Sequence, residues 1–314
     1  MVGYNLALIQ DESGKVYVLF KIALIFTAFL VGALIVQETF SVAVSLYYSA
    51  TVDDVRQSAE LADAFLSSIW AKVGITIAQN IVLILIAYLF YTKVDGKKSA
   101  VKGFGLKLKG DSIKLFCSGM LINAFFVLSF MSITILTGHM NILSVGLLHN
   151  PVSSIVLSIG LMLVVAMFIG FGEEILFRGY IQSELMGKFG APAAIAIASF
   201  VFIAAHIFKL QLPLYYVSIY VVALLLGYLF FVTKSLYASI GFHFLEDFMV
   251  FQIFVSGKPV TGIVPVVPLS EPAMICLYGM EIGTWMDGIA TVIGIVMLAG
   301  IYWYHRGAKV KPLQ

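Results

Sequence analysis

Apolar runs of bilayer length recur along this chain and constrain its fold more than any other feature. A spanning helix needs about 20 apolar residues, because lipid offers no partners to backbone N–H and C=O groups and each segment must satisfy its own. Runs near that length fall at 16–48, 66–92, 112–138, 152–187, 191–209, 213–233, 236–255 and 284–305. With 61% hydrophobic and only 11% charged residues, nothing remains for a separate soluble domain. The expectation is an all-α, polytopic transmembrane bundle of about eight helices, one integral membrane domain over residues 1–314. The first and fourth runs exceed what a bilayer requires, so each must tilt, kink or project.

The basic residues give the orientation. Lys15, the run Lys93, Lys97, Lys98, Lys102, Lys107, Lys109 and Lys114, then Lys188, Lys234, Arg306, Lys309 and Lys311 share one side of such a bundle, against Arg56, Lys209 and Lys258 on the other. The positive-inside rule then places both termini in the cytoplasm and predicts a multi-pass protein of the cell membrane. Asp11 and Glu12 precede the first apolar run and no small-residue cleavage site follows, so that run is expected to stay. Cys117 and Cys276 lack metal or disulfide spacing and read as packing residues. No phosphate-binding glycine loop occurs, and nucleic acid is not expected as a partner: the lysine loop suits anionic headgroups of the lipid bilayer.

Against this background the stretch Phe171-Gly-Glu-Glu-Ile-Leu-Phe-Arg-Gly-Tyr180 is anomalous. A charge near mid-bilayer costs about 2.5–3.5 kcal/mol even on lenient scales, so Glu173, Glu174 and Arg178 need shelter or a task. The turn Gly187-Lys188-Phe189-Gly190-Ala191-Pro192 reads as a helical hairpin, with Gly187 ending one helix and Pro192 opening the next. Glu173 lies 14 residues before Gly187 and His206 lies 14 after Pro192, each about 21 Å at ~1.5 Å per residue. In the seventh run His243 and Asp247 share a helix face, with Glu246 one position aside. If the hairpin projects by about two turns, Glu173, Glu174, Arg178, His206, His243, Glu246 and Asp247 form one polar layer open to the cytoplasm. The motif-bearing core is then residues 152–255.

Glu174 and Arg178, four apart with the carboxylate first, suit a structural ion pair. That leaves Glu173 as the candidate general base, with His206 holding a water and His243 and Asp247 facing an oxyanion. Glu246 and the Glu174–Arg178 pair are supporting residues.

The same residues carry a family resemblance. Glu173-Glu-Ile-Leu-Phe-Arg178 is similar to the E-E-x-x-x-R motif of the CPBP family, the CAAX proteases and bacteriocin-processing enzymes also called the Abi family. Phe202-Ile-Ala-Ala-His206 resembles its F-x-x-x-H, and His243 to Asp247 its H-x-x-x-N or H-x-x-x-D. Order and spacing match across Phe171–Phe248; the remaining runs match only in being transmembrane. The resemblance implies a glutamate-dependent intramembrane endopeptidase, similar to the Ras-converting CAAX endopeptidases, acting on a membrane-anchored peptide or protein. By motif position Glu173 and His206 activate water while His243 and Asp247 form the oxyanion hole. Asp247 stands where those enzymes have Asn, and Asp donates a hydrogen bond only when protonated. Burial beside Glu246 would keep it so; altered chemistry or an inactive member is the other reading.

Two alternatives stay open. Two Glu, two His and an Asp are a ligand set for zinc, although H-E-x-x-H is absent, so no cofactor is expected, with zinc the alternative. The other is a non-catalytic immunity or regulatory scaffold of the same fold. An inverted repeat of the transporter kind is not detected.

Overall fold

Polar caps and one glycine hinge set the helix boundaries. Asp54 accepts from Gln57 N at 2.7 Å to open α2 (Val55–Ser67), and Ser68 accepts from Ala71 N at 3.3 Å to open α3 (Ile69–Leu89). In this computed structural model, residues 17–138, 141–145, 151–207, 213–249, 254–256, 275–278 and 285–306 are described. Before α2 runs α1 (Val18–Thr51), and α3 continues as a π-helical turn, Phe90–Val94. There follow α4 (Ala100–Gly103), α5 (Ser112–Leu136), α6 (Val152–Glu174), a π-helical segment Ile175–Gln182, α7 (Ser183–Phe189), α8 (Ala191–His206), α9 (Pro213–Thr233), α10 (Leu236–Phe248) and α11 (Trp285–His305). Short strands β1 (Asn141–Val145), β2 (Phe254–Ser256) and β3 (Ile275–Tyr278) make a small sheet of order β1-β3-β2, antiparallel between β1 and β3 and parallel between β2 and β3.

Each of the eight apolar runs contains a helix, and the chain is an integral, multi-pass membrane protein. Among the described residues six helices are long and apolar enough to cross a membrane: Val18–Thr51, Ile69–Val94, Ser112–Leu136, Val152–Phe189, Pro213–Thr233 and Met286–His305. The other two runs form shorter helices, α8 of 16 residues and α10 of 13. At ~1.5 Å per residue they reach about 24 and 20 Å, less than the ~30 Å hydrocarbon core. His206 is therefore the last residue of its helix and Asp247 the next to last.

The hairpin between α7 and α8 turns at Gly190, not at Gly187: Gly190 has φ 76, left-handed backbone that disfavours a Cβ, whereas Gly187 lies inside α7. Pro192 sits in the first turn of α8, as expected, where its missing N–H is harmless.

In lipid, apolar side chains gain little by leaving the surrounding tails, so helices associate through close packing. The tightest approach is α5 on α10. A Cβ on Gly119 would strike the carbonyl of Ala238, and one on Gly241 the carbonyl of Phe116, so two glycines let the backbones meet. Around the π segment, all eight residues of which are buried, pack Ile25 of α1, Leu83 of α3, Phe202 of α8 and Ile240 of α10.

One end of the bundle is tied by polar contacts. Lys21 of α1 donates to Asp95 at 2.6 Å and to Glu184 of α7 at 2.5 Å, and Lys97 also bonds Glu184. At the same end Leu236 N donates to Gly105 O at 3.1 Å and the Tyr237 hydroxyl to Leu106 O at 2.9 Å. The basic 93–114 loop, the motif helix and the start of α10 thus share one face. Cys117 is an exposed free thiol rather than a packing residue. The Cys276 side chain, His139, His149, Lys15, Lys209, Lys258, Lys309, Lys311 and most of the 256–283 loop lie outside the described residues.

Candidate active site

The two adjacent carboxylates end α6, and the helix widens into its π segment immediately after them. Such π turns re-aim side chains and recur at functional sites. Nothing in the sequence pattern announced this one, and it makes α-helical arithmetic from Gly187 back to Glu173 overstate the rise.

Glu174 is the sheltered partner. Its side chain is fully buried, and one oxygen, Oε1, accepts from Arg178 Nη1 at 2.7 Å and from His243 Nδ1 at 2.8 Å. The expected ion pair is present, and it has a third member. Arg178, itself 1% exposed, also donates to Ala223 O of α9 at 3.3 Å and lays its guanidinium over the Phe202 ring, 4.5 Å from the centroid. A buried charge left without its partners is strongly destabilising, so α6, α9, α8 and α10 are joined through this one cation.

The bond to Glu174 places a proton on Nδ1 of His243 and turns Nε2 toward two other carboxylates. Nε2 lies 3.7 Å from Glu173 Oε2 and 3.7 Å from Asp247 Oδ2. These gaps exceed a direct hydrogen bond and are of the kind a water or a substrate oxygen bridges. Glu173 Oε2 is buried and makes no hydrogen bond with the protein, while the side chain as a whole is 22% exposed, against 0% for Glu174. Glu174 Oε2 is likewise buried without a partner, so what sets Glu173 apart is its opening, with Arg178 bonded to Glu174 instead.

Phe202 brings the other imidazole to the same wall. Its ring centroid is 4.7 Å from that of His206 and 6.1 Å from that of His243, and Phe177 stands against it edge-on at 5.0 Å. His206 Nδ1 lies 2.9 Å from the Phe202 carbonyl one turn back, which holds a proton on Nδ1. Sequence reasoning noted Phe202 only as part of a pattern; its position four before His206, on the same helix face, was the available signal.

Glu246, one position aside from Asp247, accepts at Oε2 from Asn123 Nδ2 of α5. Asn123 escaped notice, although a lone amide in an apolar spanning segment is itself a signal. Among the described residues no three His, Cys, Asp or Glu side chains are grouped so as to hold a metal ion.

Residues 155–249 match the family model for the Rce1-like proteins, described as type II CAAX prenyl endopeptidase Rce1-like. No curated protein matches the chain.

Proposed function

We propose that this chain, whose residues 155–249 match the Rce1-like CAAX prenyl endopeptidase model, is an intramembrane endopeptidase whose nucleophile is a water activated by Glu173. The observation that carries the reading is the double engagement of His243, with Nδ1 at 2.8 Å from Glu174 and Nε2 at 3.7 Å from the accessible Glu173. A water held between Glu173 and His206 gives its proton to the carboxylate as its oxygen bonds to the scissile carbonyl carbon. The carbonyl oxygen becomes an oxyanion facing His243 and Asp247, for which His243 must carry both ring protons and Asp247 its own. When the C–N bond breaks, Glu173 returns the proton to the leaving nitrogen, so atoms and charge balance without a cofactor.

The substrate in this reading is a lipid-anchored or membrane-tethered peptide presented at the cytoplasmic face. The face carrying Lys21, Lys97 and the loop to Leu106 is the basic one, and the positive-inside rule assigns it to the cytoplasm together with both termini. From that face α8 spans 16 residues to His206 and α10 spans 13 to Phe248, about 24 and 20 Å against a hydrocarbon core of ~30 Å. A peptide bond reaches such a site when a hydrocarbon anchor draws it there, and an anchor can lie between helices while the bond meets the polar cluster.

Comparison of membrane peptides from cells carrying wild type or Glu173→Gln tests the proposal. The expected result is a set of cleaved membrane peptides lost in the variant, with turnover reduced at least ~100-fold, the usual contribution of a general base. Identical peptide inventories with a folded variant would overturn it.

A further inference from the structure

The α5–α10 contact contains a polar pair that the chemistry above does not use. Asn123 lies one turn beyond Gly119, is completely buried, and donates through Nδ2 to Glu246, while its Oδ1 is buried without a protein hydrogen bond. A hydrogen bond from an amide can join two helices in lipid, but a carboxylate buried among spanning segments is costly, so its placement asks for a reason.

Position supplies it. The glycine contacts, Gly119 against Ala238 and Gly241 against Phe116, fasten the first part of α10, where Gly241 to Phe244 are all buried. From Leu245 to Phe248 the helix is only half-buried. Glu246 lies in this turn, three residues after His243 and one before Asp247. The bond from Asn123 therefore ties to α5 the part of α10 that the glycines do not hold. A rotation of α10 by about 20° would carry a side-chain tip some 5–6 Å from the axis through about 2 Å, and misplacement by ~1 Å is enough to lose about 100-fold in rate.

We propose that Asn123 is a positioning residue: by holding Glu246 it fixes the rotation of α10 that presents His243 and Asp247 to Glu173. This rests on the peptidase reading for its consequence, and on the α5–α10 geometry for its cause.

The test uses the full chain in lipid nanodiscs with Asn123→Asp, Glu246→Gln and the double variant. Two readouts are followed: amide hydrogen exchange over residues 244–249, and kinetics on a membrane peptide identified by the Glu173→Gln comparison. Asn123→Asp sets two carboxylates against each other; exchange in that turn is expected to rise at least ~10-fold, and kcat to fall at least ~10-fold with KM within about twofold. The double variant restores a carboxylate–amide pair with the partners exchanged, and both readouts are expected to return to within about threefold of wild type. Unchanged exchange in Asn123→Asp, or a double variant no better than the single one, would overturn the clamp. If Asn123→Asp does not fold, a folded double variant with protected exchange supports the pairing and an unfolded one overturns it. If exchange behaves as expected but the wild type cleaves no peptide, the clamp stands as structure and the catalytic role falls with the peptidase reading.

Discussion

His243 is held by Glu174 through a 2.8 Å bond to Nδ1, and this one contact decides which way its other nitrogen points. Glu174 accepts Arg178 at the same oxygen, so a buried cation, a buried anion and an imidazole form a chain ending 3.7 Å from Glu173. The two adjacent carboxylates thus have separate tasks: one organises, the other faces the opening.

Glu174→Gln and Arg178→Met should differ from Glu173→Gln in kind. Each breaks a buried pair and leaves a charge uncompensated, which destabilises by about 3–5 kcal/mol, whereas Glu173→Gln alters a 22% exposed group and should leave thermal unfolding nearly unchanged. Unfolding midpoints of the three variants in one detergent check this; a Glu174→Gln protein as stable as Glu173→Gln would contradict the assignment.

Asp247→Asn should keep or raise cleavage, and Asp247→Ala should lower it about 10- to 100-fold. Asn supplies the donor hydrogen that Asp has only when protonated, and its shape leaves the turn of α10 undisturbed. Parallel rate measurements on the three proteins decide the matter, and an inactive Asp247→Asn would show that the carboxylate itself is required.

Phe202→Ala should be harmful twice over. The ring supports Arg178 at 4.5 Å, His206 at 4.7 Å and Phe177 at 5.0 Å, so its removal opens a cavity beside a buried cation. Loss of a buried Phe side chain costs about 3–5 kcal/mol in protein cores, and activity should fall beyond what the lost stability explains. Phe202→Tyr, which keeps the ring, is the control in the same unfolding and rate assays.

Gly241→Ala should separate α10 from α5, because the added methyl would meet the Phe116 carbonyl, which is backbone and has no rotamer by which to yield. Gly187→Ala is the matched control: a Cβ there meets nothing within 4 Å, and the residue is inside a helix. The first variant should lose stability by several kcal/mol, the second should gain a few tenths to ~1 kcal/mol. Equal unfolding midpoints would contradict the close-approach reading.

By itself the sequence determined the membrane, the helices and the ion pair. Apolar runs near 20 residues have no stable alternative in lipid, and Glu174 with Arg178 at i and i+4 on a helix are neighbours whatever surrounds them. The pairing of residues close in sequence to the motifs was legible for the same reason, since helix geometry is local. What only the tertiary structure decided is which groups from different helices meet: that His243 gives Nδ1 to Glu174, that the Phe202 ring contacts both imidazoles, and that Glu246 accepts from Asn123. Those relations depend on the rotation of each helix about its axis. That rotation is set by glycine contacts and by the widened π turn after Glu174, neither of which hydrophobic periodicity records, because a helix surrounded by apolar neighbours and lipid is apolar on every side.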